Sequence, residues 1–237
     1  MTFMRLTPDP AHLWRAIVAA LGGLTLGAAQ ADARDAQYPR PGSFADYRIA
    51  DRALEIRLAE SAAPLSISGD ARILVLGKQG FEEARKGTNG FTCVVQRSWA
   101  SDFDDPEFWN PRIRAPICFN RAAARSVLAV DLERTRWALR GLSRDRLRAL
   151  TRMAVARREI GAPEVGSMCF MMSRLGYLSD KAGGHWHPHL MYFLPPAAAS
   201  AWGANLPGSP VIASSDSVVP VTVYLTPVPE WSDGTAG

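Results

Sequence analysis

The chain has 237 residues, 47% of them hydrophobic and 21% charged. That balance excludes a disordered or low-complexity polypeptide and is enough for one buried core. A formal net charge of +4 is too mild to indicate a nucleic-acid partner, and none is expected. The lysines are confined to Lys78, Lys86 and Lys181, so arginine carries nearly all the positive charge.

The first residues differ in kind from the rest. Arg5 and Arg15 precede an apolar run from Ala16 to Ala29, too short to span the roughly 30 Å hydrocarbon core as a permanent helix. The run ends in Ala29-Gln30-Ala31 and Ala31-Asp32-Ala33, two small-residue cleavage patterns. Residues 1–31 therefore read as a signal peptide, cut after Ala31 or Ala33. No twin arginine precedes the run and no cysteine follows it closely, so neither a Tat signal nor a lipid anchor is indicated. The mature chain is expected to be exported, periplasmic or secreted, without a transmembrane segment. Its net charge falls to +3 once Arg5, Arg15 and Asp9 are gone.

Residues 32–45, with Pro39, Pro41 and Gly42, read as a flexible lead-in. A single domain is expected over 46–229, and 230–237 as a loose tail. Tyr47, Ala50, Leu54 and Leu58 recur at helical spacing until Pro64. Three short strands follow, Ala71–Leu76, Phe81–Arg85 and Phe91–Gln96, whose spacing predicts an antiparallel meander with a tight turn at Asn89-Gly90. In the third, Phe91, Cys93 and Val95 share a face. The loop 101–109 mixes four carboxylates with three aromatics; its spacing matches no EF-hand, and it reads as a surface loop anchored by its rings.

The long helical region from Ala122 to about Ile160 carries a stripe of Leu128, Leu132, Thr135, Leu139 and Leu142. Gly141 and Ser143 mark a break, with Ser143 placed to cap a second helix that buries Leu147, Leu150 and Ala154. Strands are then predicted at Met168–Ser173 and Trp186–Leu194, a short helix at Ala197–Trp202, and final strands at Val211–Ala213 and Val221–Thr226. The fold class is α+β, a mostly antiparallel sheet with helices packed on one side.

Three places carry candidate chemistry. Three of the four histidines lie within His185-Trp186-His187-Pro188-His189. On an extended strand all three share a face, and imidazole is the commonest metal ligand, so His185, His187 and His189 are a candidate divalent transition-metal site. Four extended residues span about 13 Å, so at most two of them reach one ion easily and another ligand is required. Glu164, Asp180, Asp216 and Glu230 are the carboxylates without an evident structural duty. Cys93 and Cys118 lie in different apolar segments and are the expected disulfide, leaving Cys169 free inside an apolar run that favours an inert thiol over a nucleophile. From Arg134 to Arg158 nine arginines face only Asp145. On a helical wheel Trp137 lies opposite the leucine stripe among Arg134, Arg140 and Arg144, a candidate contact with an anionic envelope surface, against which stands an ordinary solvated face.

No serine-nucleophile elbow or phosphate-binding glycine loop is present. The strings Asn89-Gly90-Phe91-Thr92-Cys93, Pro116-Ile117-Cys118-Phe119 and Trp186-His187-Pro188-His189-Leu190-Met191 resemble an uncharacterised family of exported bacterial proteins, over most of the mature chain. The resemblance brings no activity with it. Two functional classes therefore stand: a binding or envelope-associated protein, and a metal-dependent enzyme built on the histidines.

Overall fold

The structure is a computed structural model that describes residues 37–181 and 183–237. The expected signal peptide and the first part of the expected lead-in lie outside those residues. Strand propensity and burial decide which segments take the middle of the sheet and which its edge. The segment Arg72-Ile73-Leu74-Val75-Leu76-Gly77 is apolar at four consecutive positions and forms strand β1 (Arg72–Gly77), buried on both faces. The next segment, β2 (Gly80–Arg85), carries Glu82, Glu83 and Arg85 and is exposed enough to close an edge. A two-residue turn joins them antiparallel, and Gly80 takes it with φ of +143°.

The third strand, β3 (Thr92–Gln96), does not continue the meander. It pairs with β1 in parallel, Ile73 opposite Cys93, so the polar β2 stays at the edge and the two apolar strands lie together inside the sheet. Asn89-Gly90 consequently makes no hairpin. The Asn89 side chain instead accepts from the Phe91 amide and donates to the Ile67 carbonyl, shaping the crossover loop.

Strands β4 (Ala115–Phe119), β5 (Met168–Met171), β6 (His189–Leu194), β7 (Ile212–Ser215) and β8 (Thr222–Pro227) complete an eight-stranded sheet in the order β2-β1-β3-β4-β5-β6-β8-β7. All pairings except β1–β3 are antiparallel. The fold is thus the expected α+β arrangement with a mostly antiparallel sheet.

Two helices cover one sheet face. Helix α4 (Arg121–Leu139) starts at the Asn120 cap, whose side chain accepts from the Ala123 amide, and α5 (Arg144–Ala156) starts at the Ser143 cap, bonded to the Arg146 amide. Gly141, at φ of +75°, lets the chain turn between them. Leu128 and Val130 of α4 meet Val94, Ile117, Phe119 and Phe193 from the sheet. These long basic helices lie on one side, as the leucine stripe predicts.

The opposite face holds a small layer that the spacing of Tyr47 to Leu58 does not foretell. That stretch is two helices, α1 (Phe44–Tyr47) and α2 (Arg52–Glu60), separated where Asp51 caps the second through the Ala53 amide. A third short turn, α3 (Leu65–Ser68), follows Pro64. Leu58, Ala59 and Ala62 of the α2 region pack on Ile73, Val75, Cys93, Val95 and Cys118, with Phe91 against the same cluster. Small side chains let α2 approach the sheet closely, and Leu54 is left outside, 47% exposed. The helices therefore are not all on one side: α2 and α3 occupy the face that β3 and β4 turn away from α4.

Beneath α1 and the α4–α5 corner, Trp99, Phe103, Phe108 and Trp109 form an aromatic cluster with Tyr47 and Leu147. Phe103, Phe108 and Trp109 are the anchors of the acidic loop, and Asp104 at its surface pairs with Arg148. The tail is not loose. Ser232 bonds to the Met172 and Ser61 carbonyls, and Trp231 pairs with Thr235. The lead-in is tied as well, because the Tyr38 hydroxyl donates to Asp180 at 2.6 Å.

Cys93 and Cys118 face each other across the β3–β4 ladder and form the expected disulfide. The crosslink closes a loop across a sequence separation of 25, which implies about 3 kcal/mol of stabilisation. Nonreducing peptide mapping is expected to link Cys93 to Cys118 with Cys169 free, and Cys93→Ala/Cys118→Ala to lose about 3 kcal/mol in urea unfolding. Any other pairing contradicts the register of β3 with β4.

Candidate functional site

Side chains alternate along each strand, so one sheet face collects Val94 and Gln96 from β3, Ala115, Ile117 and Phe119 from β4, Cys169 and Met171 from β5, and His189, Met191 and Phe193 from β6. Helix α4 covers only part of it. Two clefts open along this face, and Gln96 and Ala100 line both.

The first cleft, about 460 Å³, is bounded by Met171, Ile113, Trp186, His189 and the loop residues Glu107 and Ser179. His189 is buried, with Trp186 edge-on at 4.6 Å between ring centroids. Its Nδ1 lies 2.7 Å from the His187 carbonyl oxygen. A carbonyl can only accept, so Nδ1 carries the proton and Nε2 holds the lone pair. Burial lowers the His189 pKa and keeps the ring neutral. The cleft also contains Ser98, buried, whose Oγ has no partner among the described residues.

Two carboxylates hold this cleft's rim. Asp180 accepts from the Tyr38 and Tyr177 hydroxyls, from Asn110 and from Arg112, which together hold its pKa far below the usual range against the cost of desolvation. Glu107 accepts from Ser179, Asn110 and the Asp180 amide. Both act as fasteners between the loops 101–113 and 176–184.

The histidine cluster does not assemble as the sequence suggests. The strand begins at His189 rather than Trp186, because Pro188 cannot donate to the ladder; its own carbonyl accepts from the Val228 amide instead. His185 and His187 therefore precede the sheet and are exposed, and only His189 shares the face of Met191. Among the described residues no three His, Cys, Asp or Glu side chains form a metal-binding group. Glu164 is engaged by Arg125, Asp180 by five side-chain donors that include Gln37, Asp216 by Arg134, and Glu230 is exposed in the tail.

The second cleft, about 290 Å³, lies between α4 and the sheet. Val127 and Val130 of α4 form one wall and Phe119, Met191, Phe193 and Val223 the other. Its polar end holds Asp131, Gln96, Arg134 and Asp216. Gln96 Nε2 donates to Asp131 Oδ2, while Oδ1 has no hydrogen-bond partner among the described residues. Burial pushes the Asp131 carboxyl up to about 7, with Asp216 adding to the rise and Arg134 and Gln96 opposing it.

Arg134, assigned by the helical wheel to an outward face with Trp137, Arg140 and Arg144, is 2% exposed. Its guanidinium stacks over Phe103 at 4.3 Å and reaches Asp216 at 3.4 Å. It cannot touch an external surface. The wheel misplaces it because Ser101 and Phe103 of the acidic loop and Asp216 of the β7–β8 turn cover that side of α4. Of the other three, Trp137 is half-buried against the aromatic cluster, Arg144 leans over Phe108, and Arg140 alone is exposed.

Asp131 carries a legible signal. It lies three residues after Leu128 and four before Thr135, inside the apolar stripe, where an acid has no business unless paired or functional. Cys169, on the strand beside Met191, is buried with its thiol pKa raised well above normal by desolvation, so it is an inert core residue.

No family model, curated protein or solved structure matches this chain.

The folded state keeps the Asp131 proton up to about pH 7, whereas an unfolded chain releases it near the ordinary carboxylate value. Between those values the folded state binds more protons, so stability falls as pH rises through the window. Asp131→Asn removes that penalty. Thermal unfolding is expected to show the variant more stable than wild type at pH 8, on the order of 2–4 kcal/mol, and alike near pH 4. Equal pH dependence for both proteins would refute the raised carboxyl.

Proposed function

We propose that the protein is an exported binding protein and that the cleft beneath α4 is where it takes a small ligand with an apolar body and one polar end. The observation that carries this reading is an apolar cleft ending in a carboxyl oxygen without a partner, the combination of mostly apolar lining and a few convergent polar groups that small-molecule sites use. The Cys93–Cys118 disulfide supports an oxidising compartment, and no described helix is long and apolar enough to cross a membrane. Membership of the exported family that the sequence resembles belongs to the same proposal. So does envelope association, for which Arg140 and the exposed Arg136, Arg146 and Arg152 leave a basic surface without Arg134.

Phenylbutanol, a neutral molecule of about the size the cleft holds, tests the site directly. Calorimetry or NMR titration is expected to show saturable binding that weakens at least about tenfold in Val130→Trp, which fills the cleft, and not in Ala129→Trp on the outer surface of α4. Equal affinity in all three proteins, or no binding to wild type, defeats the reading.

A metal-dependent enzyme is the second reading, favoured by one observation: a backbone carbonyl fixes His189 Nδ1, the outer contact that metal-ligating histidines commonly have, and leaves Nε2 toward the first cleft. Untagged protein dialysed against zinc, copper or manganese is then expected to retain one equivalent and to lose it in His189→Ala. Sub-stoichiometric retention that His189→Ala does not change eliminates the enzyme.

A further inference from the structure

The second cleft's polar end is lopsided in charge. Three carboxyls line it, Asp102, Asp131 and Asp216, against the single guanidinium of Arg134. Two of the three are already served. Asp216 accepts from the Val218 and Val219 amides and meets Arg134, and Asp102 accepts from the Asp104 amide and the Ser217 hydroxyl. Arg134 reaches Asp216, the Ser101 carbonyl and the Phe103 ring, while its buried Nε has no partner among the described residues. Asp131 remains, 8% exposed, with Gln96 on one oxygen and nothing on the other.

We propose that the ligand is an amphipathic amine, its ammonium held by Asp131 Oδ1 and its hydrocarbon body laid along Val127, Val130, Phe119, Met191 and Phe193. The inference rests on the reading of this cleft as a ligand site and adds the charge of what enters it. A carboxylate ligand would meet three acids against one guanidinium; a neutral alcohol would satisfy Oδ1 but add no positive charge to the single one that Arg134 shares between Asp131 and Asp216. A primary ammonium supplies both, through a charge-assisted hydrogen bond in a partly desolvated place. At about 290 Å³ the cleft takes roughly ten to twelve non-hydrogen atoms, judged against the engineered cavity of about 150 Å³ that holds benzene.

The titration of Asp131 gives the proposal a second signature. The ionisable groups around it are Arg134 on its own helix, Cys169 from β5, Asp216 from the β7–β8 turn and Asp102 from the acidic loop. Cys169 stays a thiol near neutrality, while an alkyl ammonium keeps its proton to about pH 10. Asp131 is pushed into the neutral range, and it must ionise to pair with the amine. With a carboxyl near 7, amine affinity is expected to rise about tenfold from pH 6 to pH 8.

Three probes with one body separate the outcomes: phenylbutylamine, phenylbutanol and phenylbutyrate, titrated into the full chain. The amine is expected to bind at least about tenfold more tightly than the alcohol at pH 8, with the carboxylate weakest, and Asp131→Asn to abolish the amine's advantage over the alcohol. The pH series on wild type tests the same point should the variant fold poorly. If alcohol or carboxylate binds and Val130→Trp blocks it, yet the amine has no advantage or no rise with pH, the charge assignment fails and the cleft stands. If none of the three binds, both fail.

Discussion

The ion pair between Glu55 and Arg97 is the constraint on which the rest hangs. Both side chains are withdrawn from water, 2% and 0% exposed, at a separation of 2.8 Å. Burial lowers the Arg97 pKa, and Glu55 counters that cost by charge and hydrogen bond. Such a pair adds little net stability compared with apolar neighbours, but either partner alone would be ruinous, on the order of 3–5 kcal/mol. Its value lies in what it ties together. Glu55 on α2 also accepts from the Leu76 amide of β1, while Arg97 donates to the carbonyls of Tyr47 in α1 and Val95 in β3. One guanidinium thus joins both short helices to two strands through the end of the sheet.

That knot lies next to the candidate site in sequence. Gln96, immediately before Arg97, reaches Asp131 and lines both clefts; the 3₁₀ turn Ser98–Ala100, immediately after, supplies a wall to each and the Trp99 indole that bonds Thr135 of α4. The α2 layer and the second cleft occupy opposite faces of the sheet, yet the same few residues at the end of β3 position both. A shift at Glu55 would reach Asp131 through two consecutive residues, Arg97 and Gln96.

How much of this the sequence reveals depends on whether local or long-range pairing decides the point. The leucine stripe, the Ser143 cap, the Gly141 break and the Cys93–Cys118 pair are local or two-body features, and each is where periodicity and chemistry put it. The parallel pairing of β1 with β3 is not local: short spacing between Arg85 and Phe91 argues for a hairpin, and only the burial of Ile73 to Leu76 beside the apolar β3 overrides it. The histidines fail for a similar reason. Alternation puts His185, His187 and His189 on one face only if the strand reaches back through Pro188, whose ring withholds the donor that pairing needs. Arg134 is misread for a third reason: a wheel centred on leucines leaves it on the outer side, and only the packing of Ser101, Phe103 and Asp216 against it shows that side of α4 covered.

The docked C-terminal tail bears on how the molecule can be handled. Gly237 lies against the Pro188 ring, its amide bonded to the Pro229 carbonyl, so the last residue is packed between the neighbours of His187 and His189. Whatever is joined after Gly237 emerges there. An oligohistidine appended for affinity capture would place extra imidazoles beside two solvent-facing native ones and could manufacture, by proximity alone, the very coordination shell that the native residues do not close.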